Sequence, residues 1–461
     1  MTDQIIQTIR ELREYAVDKG CDVTLSYHEE DSYLMRFANS AISLNSNEHL
    51  IRLEISVYSD RRRASYEMIT DLRHLDEIKF GIDTAVEMVQ HAQPLTYEPT
   101  IPTYAADFID ESGYDASLAG ISNDEKLKYF NQAVAGLETE HLKLSGIFAS
   151  GTNIVCNINT RSEHVQYFST TDAQVSIVLA HATLKWEVIA EQSAQKKADL
   201  NTATLHRDLS WLIEHYQRDP SQQIPTGTYD IVFGAAAISS LLSVMNWIGF
   251  NGGSMKRDSS FIAEDKVGHK VFSEKFTLID DPTRLETFPF KKDLMGLDRQ
   301  PFPIFEKGVF KSFIWSQDDA DEFGAQPTGH TVSHNSLVLG GSDHDVSTLE
   351  ALAKMPRKRD VLYIPFLHYL NIVNLSKGVI TASSRFGALL LKKDGSIVIP
   401  FNVRVTQSLL DIFGDKVDWI SKAAVVYNTS SSYGSRNPTA LVVPAFMQIN
   451  DLAISQSNTS Y

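Results

Sequence analysis

TYDIVFGAAAISSLLSVMNWIGFNGGSMKRDSS, residues 228–260, decides how the C-terminal half folds. It opens as a short strand, Tyr229 to Phe233, and continues as a helix from Ala235 to Ile248. It closes in a glycine-rich turn (Gly249, Gly252, Gly253) and the basic pair Lys256-Arg257. The helix is apolar around almost its whole circumference. Such a helix is expected to be buried on every side, so the rest of this half should pack around it.

Beyond this stretch the pattern turns to strands. Ile304 to Trp315 predicts a hairpin around Lys307-Gly308, and Leu389 to Ile399 predicts one around Asp394-Gly395. Asp-Gly suits a two-residue hairpin turn because both positions tolerate positive φ. Val346 to Lys354 and Val405 to Ile412 predict helices, and Ala440 to Ile454 predicts one or two closing strands. Thr429 to Ser435 (TSSSYGS) reads as a flexible loop.

The N-terminal half begins with a helix capped by Thr2 or Asp3 and ended by Gly20, with Ile5, Ile9, Leu12 and Ala16 on one face. Strands are predicted at Val23–Tyr27, Tyr33–Phe37 and Leu50–Tyr58. In the last, Ile51, Leu53, Ile55 and Val57 point one way. Helices follow at Asp71 to Gln90, from the Ser122–Glu125 capping box to the region of Glu140, and at Ala203 to Tyr216. Residues 94–115 read as a loop. Residues 143–193 read as an antiparallel meander that turns at Ser150-Gly151-Thr152-Asn153. The prolines and polar residues of 218–228 mark the best boundary. The expected fold is therefore α+β. It has an N-terminal domain of sheet plus helices (1–220) and a C-terminal, mostly antiparallel β domain (221–461) built around the helix 235–248.

Composition bounds the function. With 461 residues, 43% hydrophobic and 22% charged, the chain has the make-up of a soluble globular protein of two domains. A formal charge of −16 argues against nucleic acid or an anionic membrane as the main partner. No apolar run is long enough for a bilayer, and the charged first helix has no signal-peptide character. Two cysteines, Cys21 and Cys156, give neither a disulfide framework nor zinc-ribbon spacing, and they read as structural thiols. A cytoplasmic location fits this set.

Five stretches in order carry a family resemblance. They are IRLEISVYSDRRRASYE (51–67), DLRHLDEIKFGIDTAVEMVQHAQP (71–94) and IVFGAAAISSLLSVMNWIGFNGGSMKRDSSFIAEDKVGHKVF (231–272). The others are FEKGVFKSFIWSQDDADEFGAQPTGH (305–330) and SSRFGALLLKKDGSIVIP (383–400). Together they resemble the TldD/PmbA family, also called modulators of DNA gyrase. One departure is Arg61-Arg62-Arg63, which stands where the family's turn has glycines.

The family's catalytic branch, the TldD type, is similar to a zinc peptidase. Its helix carries His-Glu-x-x-x-His, and a C-terminal cysteine adds a ligand. Two imidazoles and a thiolate leave one zinc position open for a water of lowered pKa, and the glutamate takes that water's proton. Matching from Leu241-Leu242 puts Ser243 at the first histidine, Val244 at the glutamate and Ile248 at the second histidine. The C-terminal ligand falls near Ser431 or Ser432. Neutral serine is a poor zinc ligand, and valine and isoleucine are none. The chain thus resembles the PmbA (TldE) branch. That resemblance implies a non-catalytic subunit without a cofactor of its own, paired with a TldD-type partner that holds zinc. It also implies cytosolic proteolysis of unfolded or linear peptides and peptide maturation. Ser243, Val244, Ile248, Gly249, Asn251 and His330 are the expected lining of the vestigial site. Two alternatives stand beside this reading. One is an independent hydrolase using other residues of the cleft, and the other is a homodimeric peptide-binding scaffold.

The remaining signals have plainer readings. His330 and His334 form H-x-x-x-H, either a metal pair or polar loop histidines. His28-Glu29-Glu30-Asp31 reads as a solvated turn. The arginine run is a solvated turn or a salt-bridged contact with a partner. Asp318 to Glu322 is a charged loop or a helix start. The glycine turn follows its helix and lacks G-K-[ST], which argues against a phosphate loop, and no G-x-S-x-G occurs.

Overall fold

The computed structural model describes residues 2–340, 343–430 and 436–458. The chain is α+β. In the first half, strict alternation builds one large sheet. Its order is Arg62–Ile69, Ala41–Ser59, Asp22–Ala38, Leu142–Asn159, Ser162–His181 and Phe108–Gly113, with Glu187–Ala194 also pairing Ser162–His181. Neighbours are antiparallel except Phe108–Gly113, which runs parallel to its partner inside the stretch 94–115 expected as loop. One sheet face presents Val23, Leu25, Tyr27, Leu53, Ile55, Val57, Ile154, Cys156 and Ile158. Helices Thr2–Val17 and Leu75–His91 cover it with Ile5, Ile9, Leu12, Ile78, Ile82 and Ala85. Period 2 in the strands and period 3.6 in the helices thus meet in one core.

Several expected boundaries move. The two strands expected at 23–27 and 33–37 are one, Asp22–Ala38. The acidic run His28 to Asp31 therefore lies mid-strand and is not a turn. Glu30 is fully buried and pairs with Arg52 at 3.1 Å. Ser150 to Asn153 is not a turn either, because Leu142–Asn159 runs straight through it. The glycine there serves a close approach. A Cβ on Gly151 would lie 2.0 Å from the Asp31 carbonyl oxygen and 2.9 Å from Arg436 Nε. The helix after the Ser122 capping box stops at Ala133, short of Glu140. Val405 to Ile412 is mostly strand: Asn402–Ser408 pairs in a sheet and only Leu409–Ile412 is helical. The helix expected over 346–354 begins at Leu349 behind a Thr348 cap.

The second half holds two sheets. One, of six strands, runs Val309–Phe310, Phe302–Glu306, Thr277–Asp280, Leu337–Gly340, Ala440–Pro444, Ala424–Asn428. The other has nine strands and includes Gly227–Gly234, Val361–Ile364, Phe446–Asn458 and, at one edge, Phe366–Asn374. Most pairs are antiparallel. Helix Ala235–Gly249 lies between the sheets. Its Ile238, Leu241, Leu242 and Met245 share one cluster with Leu278, Phe305 and Leu339 of the first sheet and Leu362, Ile380 and Val405 of the second.

Candidate functional site

The central helix is not buried all round. Ile238, Leu241, Leu242, Met245 and Ile248 face the core. Ala236, Ser240 and Val244 are half-buried, and Ser243 and Trp247 are exposed, Trp247 at 67%. These five positions recur at i, i+4, i+7, i+8 and i+11, which is one stripe of a 3.6-residue helix. The reading of burial on every side is thereby corrected. The stripe carries no charge: small residues, two of them serines, lead to the exposed indole of Trp247. The helix also contacts strand Phe366–Asn374, whose Tyr369 and Val373 are exposed.

The residues matched to the peptidase motif do not form a zinc site. Ser243 Oγ donates to the Ser239 carbonyl within its own helix, at 2.9 Å. Val244 packs on the core and Ile248 is only 2% exposed. Gly249 is glycine because a Cβ would sit 2.5 Å from the Phe261 ring. Asn251 caps the short helix Gly252–Lys256 through Ser254 N and donates to Asp319. Ser431 and Ser432 lie outside the described residues.

His330 stands apart from the helix and lines a different space. Between the N-terminal sheet and the C-terminal half opens a cavity of about 1660 Å³, its mouth included. Thr24, Ser26, Glu54, Ser56, Ser65 and Asn157 form one wall, and Arg299, His330, Thr331, Ser333 and His334 stand opposite. Arg63 at this cavity pairs with Asp318 at 2.6 Å. The arginine run thus contacts the chain's own C-terminal half. Asp318 itself lies in the first turn of helix Gln317–Phe323.

A buried ion network positions the far wall. His330 Nδ1 lies 2.6 Å from Asp280 Oδ2, and Arg299 Nη2 donates to both Asp280 oxygens. Ser336 N donates to the same carboxylate. Desolvation alone would raise the Asp280 pKa. The bond to His330, the Arg299 charge and the Ser336 N–H outweigh it and hold the carboxyl below its ordinary value. This arrangement fixes the His330 ring, which stacks on Phe302 and lines the cavity. His334 takes separate partners: Nε2 donates to the Phe288 carbonyl and the ring stacks on Phe290. The two histidines are therefore not a chelating pair. Among the described residues no three His, Cys, Asp or Glu side chains are grouped to hold a metal.

Asp280, Arg299, Asn157 and Arg436 were not singled out in the sequence. Arg436 is 4% exposed and bonds Asp172 with Nε and Nη2 at 2.8 and 2.7 Å, and its N–H donates to Glu30. No motif marks these residues. The one available signal was a polar residue inside an alternating apolar strand, as in Thr277–Asp280 or Leu142–Asn159.

Comparison with known proteins adds a family. A sequence model described as the PmbA/TldA metallopeptidase C-terminal domain matches residues 226–456. An uncharacterised protein of Methanocaldococcus jannaschii is 30% identical over 102 residues, 22% of this chain and 24% of that protein. A metalloprotease of the same organism is 35% identical over 77 residues, 16% of this chain and 17% of its own length. These matches span a quarter or less of the curated relatives. The crystal structure of TldE from Thermococcus kodakarensis superposes with a TM-score of 0.81 at 16% identity, covering 97% of this chain and 100% of that one. A Bacteroides thetaiotaomicron protein named for modulation of DNA gyrase superposes at 0.77 with 17% identity, covering 96% and 98%. With a family model across half of the sequence and the same fold across nearly all of it, the chain belongs to the PmbA/TldD family of metallopeptidase-like proteins.

Proposed function

We propose that this chain is the non-catalytic, TldE-like member of a two-chain cytoplasmic zinc peptidase. Its partner is a TldD-type chain that holds the metal, and the pair acts on unfolded or linear peptides. One observation carries the reading: the central helix has Ser243, Val244 and Ile248 where the peptidase motif needs two imidazoles and a carboxylate. The edge strand Phe366–Asn374, which packs on the same helix, supports it, because an unpaired edge suits docking of an extended segment or a second chain. The role assigned to the stripe is positional.

The test mixes the purified chain with a TldD-type protein and follows cleavage of an unfolded peptide. The expected result is cleavage by the mixture, stopped by a chelator, and none by this chain alone. Chelator-resistant cleavage by this chain alone would replace the proposal with the independent-hydrolase reading. Peptide binding without cleavage in the mixture would favour the scaffold reading.

A further inference from the structure

One wall of the cavity is a polar sheet face that runs from exposed residues, Glu54 and Ser65, to buried ones, Ser56, Asn157, Asn159 and Gln166. On the same strands whose other face is Val23, Leu25, Leu53, Ile55, Cys156 and Ile158, this face is polar at consecutive rungs. Glu54 lies opposite Ser26, Ser26 opposite Asn157, and Asn157 opposite Gln166, so one polar row crosses four strands. The next row is Ser65, Ser56, Thr24 and Asn159. A covered sheet face is ordinarily apolar, because buried polar groups cost stability unless hydrogen-bonded. Asn157 stands out: it is 3% exposed, and both its amide oxygen and its amide nitrogen lack a partner, whereas Asn159 lacks one only at its amide nitrogen. Gln166 differs, since its amide ties to the backbone of Asp293 and Gly296.

Charge narrows the occupant. Each lining cation already has a carboxylate: Arg63 has Asp318, Lys292 has Asp298 and Arg299 has Asp280. Glu54, by contrast, accepts only from the Ser56 hydroxyl among the described residues. A phosphate or carboxylate would find no free cation here. A neutral ligand would find an amide donor and acceptor on Asn157, hydroxyls on both walls and the ring nitrogen Nε2 of His330. The rings of Phe168 and Phe290, 5.1 Å apart, offer an apolar surface beside them.

We propose that this cavity binds a small uncharged ligand carrying carboxamide and hydroxyl groups, with Asn157 reading the amide from one wall and His330 Nε2 from the other. The proposal does not rest on the peptidase reading, since no residue of the central helix lines the cavity among the described residues. The chemistry has two sources, an N-acetylated sugar or a peptide-like amide.

Saturation-transfer NMR on the full chain tests it with N-acetylglucosamine, N-acetyl-serinamide and inorganic phosphate as probes. At least one amide probe is expected to bind at millimolar concentration, and phosphate is not. Binding of the sugar alone assigns the first source, and of the serinamide alone the second. In Asn157→Leu the signal is expected to vanish while the thermal midpoint holds or rises, because leucine removes an unpaired buried amide. A structural role for Asn157 would lower the midpoint instead. Ser26→Val, on the same row, is expected to weaken the same probe and serves if the first variant does not fold. Absence of binding by both amide probes, preference for phosphate, or signals unchanged in both variants would overturn the proposal.

Discussion

At the scale of single residues, two buried charges make opposite demands on pH and pairing. His334 is enclosed, and burial lowers its pKa from the ordinary 6.5 to about 4. Below pH 6.5 the unfolded chain takes up a proton that the folded chain refuses, so stability falls with acid, by about 1.4 kcal/mol per unit down to the folded value. His334→Gln keeps a donor for the Phe288 carbonyl and removes the titration. Urea unfolding should show the variant weaker than wild type at pH 7.5, with the gap narrowing by about 2 kcal/mol at pH 5. A gap that is constant with pH would refute this. Arg436 poses the pairing question. Burial pushes the Asp172 carboxyl up, and the guanidinium opposes that shift. Arg436→Leu leaves the carboxylate buried and alone, at a cost of about 3–5 kcal/mol, and adding Asp172→Leu should recover much of it. A single variant as stable as wild type would show that the pair contributes nothing.

At the scale of elements, the central helix divides into a core face and an open stripe, and the two should respond differently. Leu241→Ala is expected to cost about 2–5 kcal/mol, as a fully buried leucine does. Trp247→Ala should change the chain's own stability by about 0.5 kcal/mol or less while weakening capture of a TldD-type partner on a sensor surface. Unchanged capture would remove the stripe from the interface. The triple variant Ser243→His, Val244→Glu, Ile248→His should still bind no zinc, because position 248 points into the core and the supporting contacts of a metal site are missing. Stoichiometric metal in that variant would contradict the placement.

Legibility follows the same physics. The alternation of Ile51, Leu53, Ile55 and Val57 named a strand and its buried face, because the period is set locally. Local signals misled where a distant group decided the residue. Gly151 looked like a turn residue and is a place where Arg436 and the Asp31 carbonyl approach. Glu30 looked solvated and is buried, paired with Arg52 and accepting from the Arg436 backbone N–H. The central helix looked enclosed because its open stripe carries no charged residue, and composition does not distinguish a core face from one left open.

At the scale of the molecule, the two halves are joined by charged contacts around a polar space. Arg63 meets Asp318, Lys291 meets Asp110, Arg385 meets Glu187 and Arg436 meets Asp172. The alternating strands announced that one face of the N-terminal sheet is polar. Which C-terminal residues cover that face depends on how the halves dock, and no spacing in the chain encodes it. The order of motifs carried the family, and the substituted helix carried the proposed loss of metal chemistry. The most direct test of that loss is the zinc content, by elemental mass spectrometry, of the full chain purified alone. The account predicts zinc near zero per chain, with metal appearing only when a TldD-type partner is present. A value near one zinc per chain in the isolated protein would contradict it.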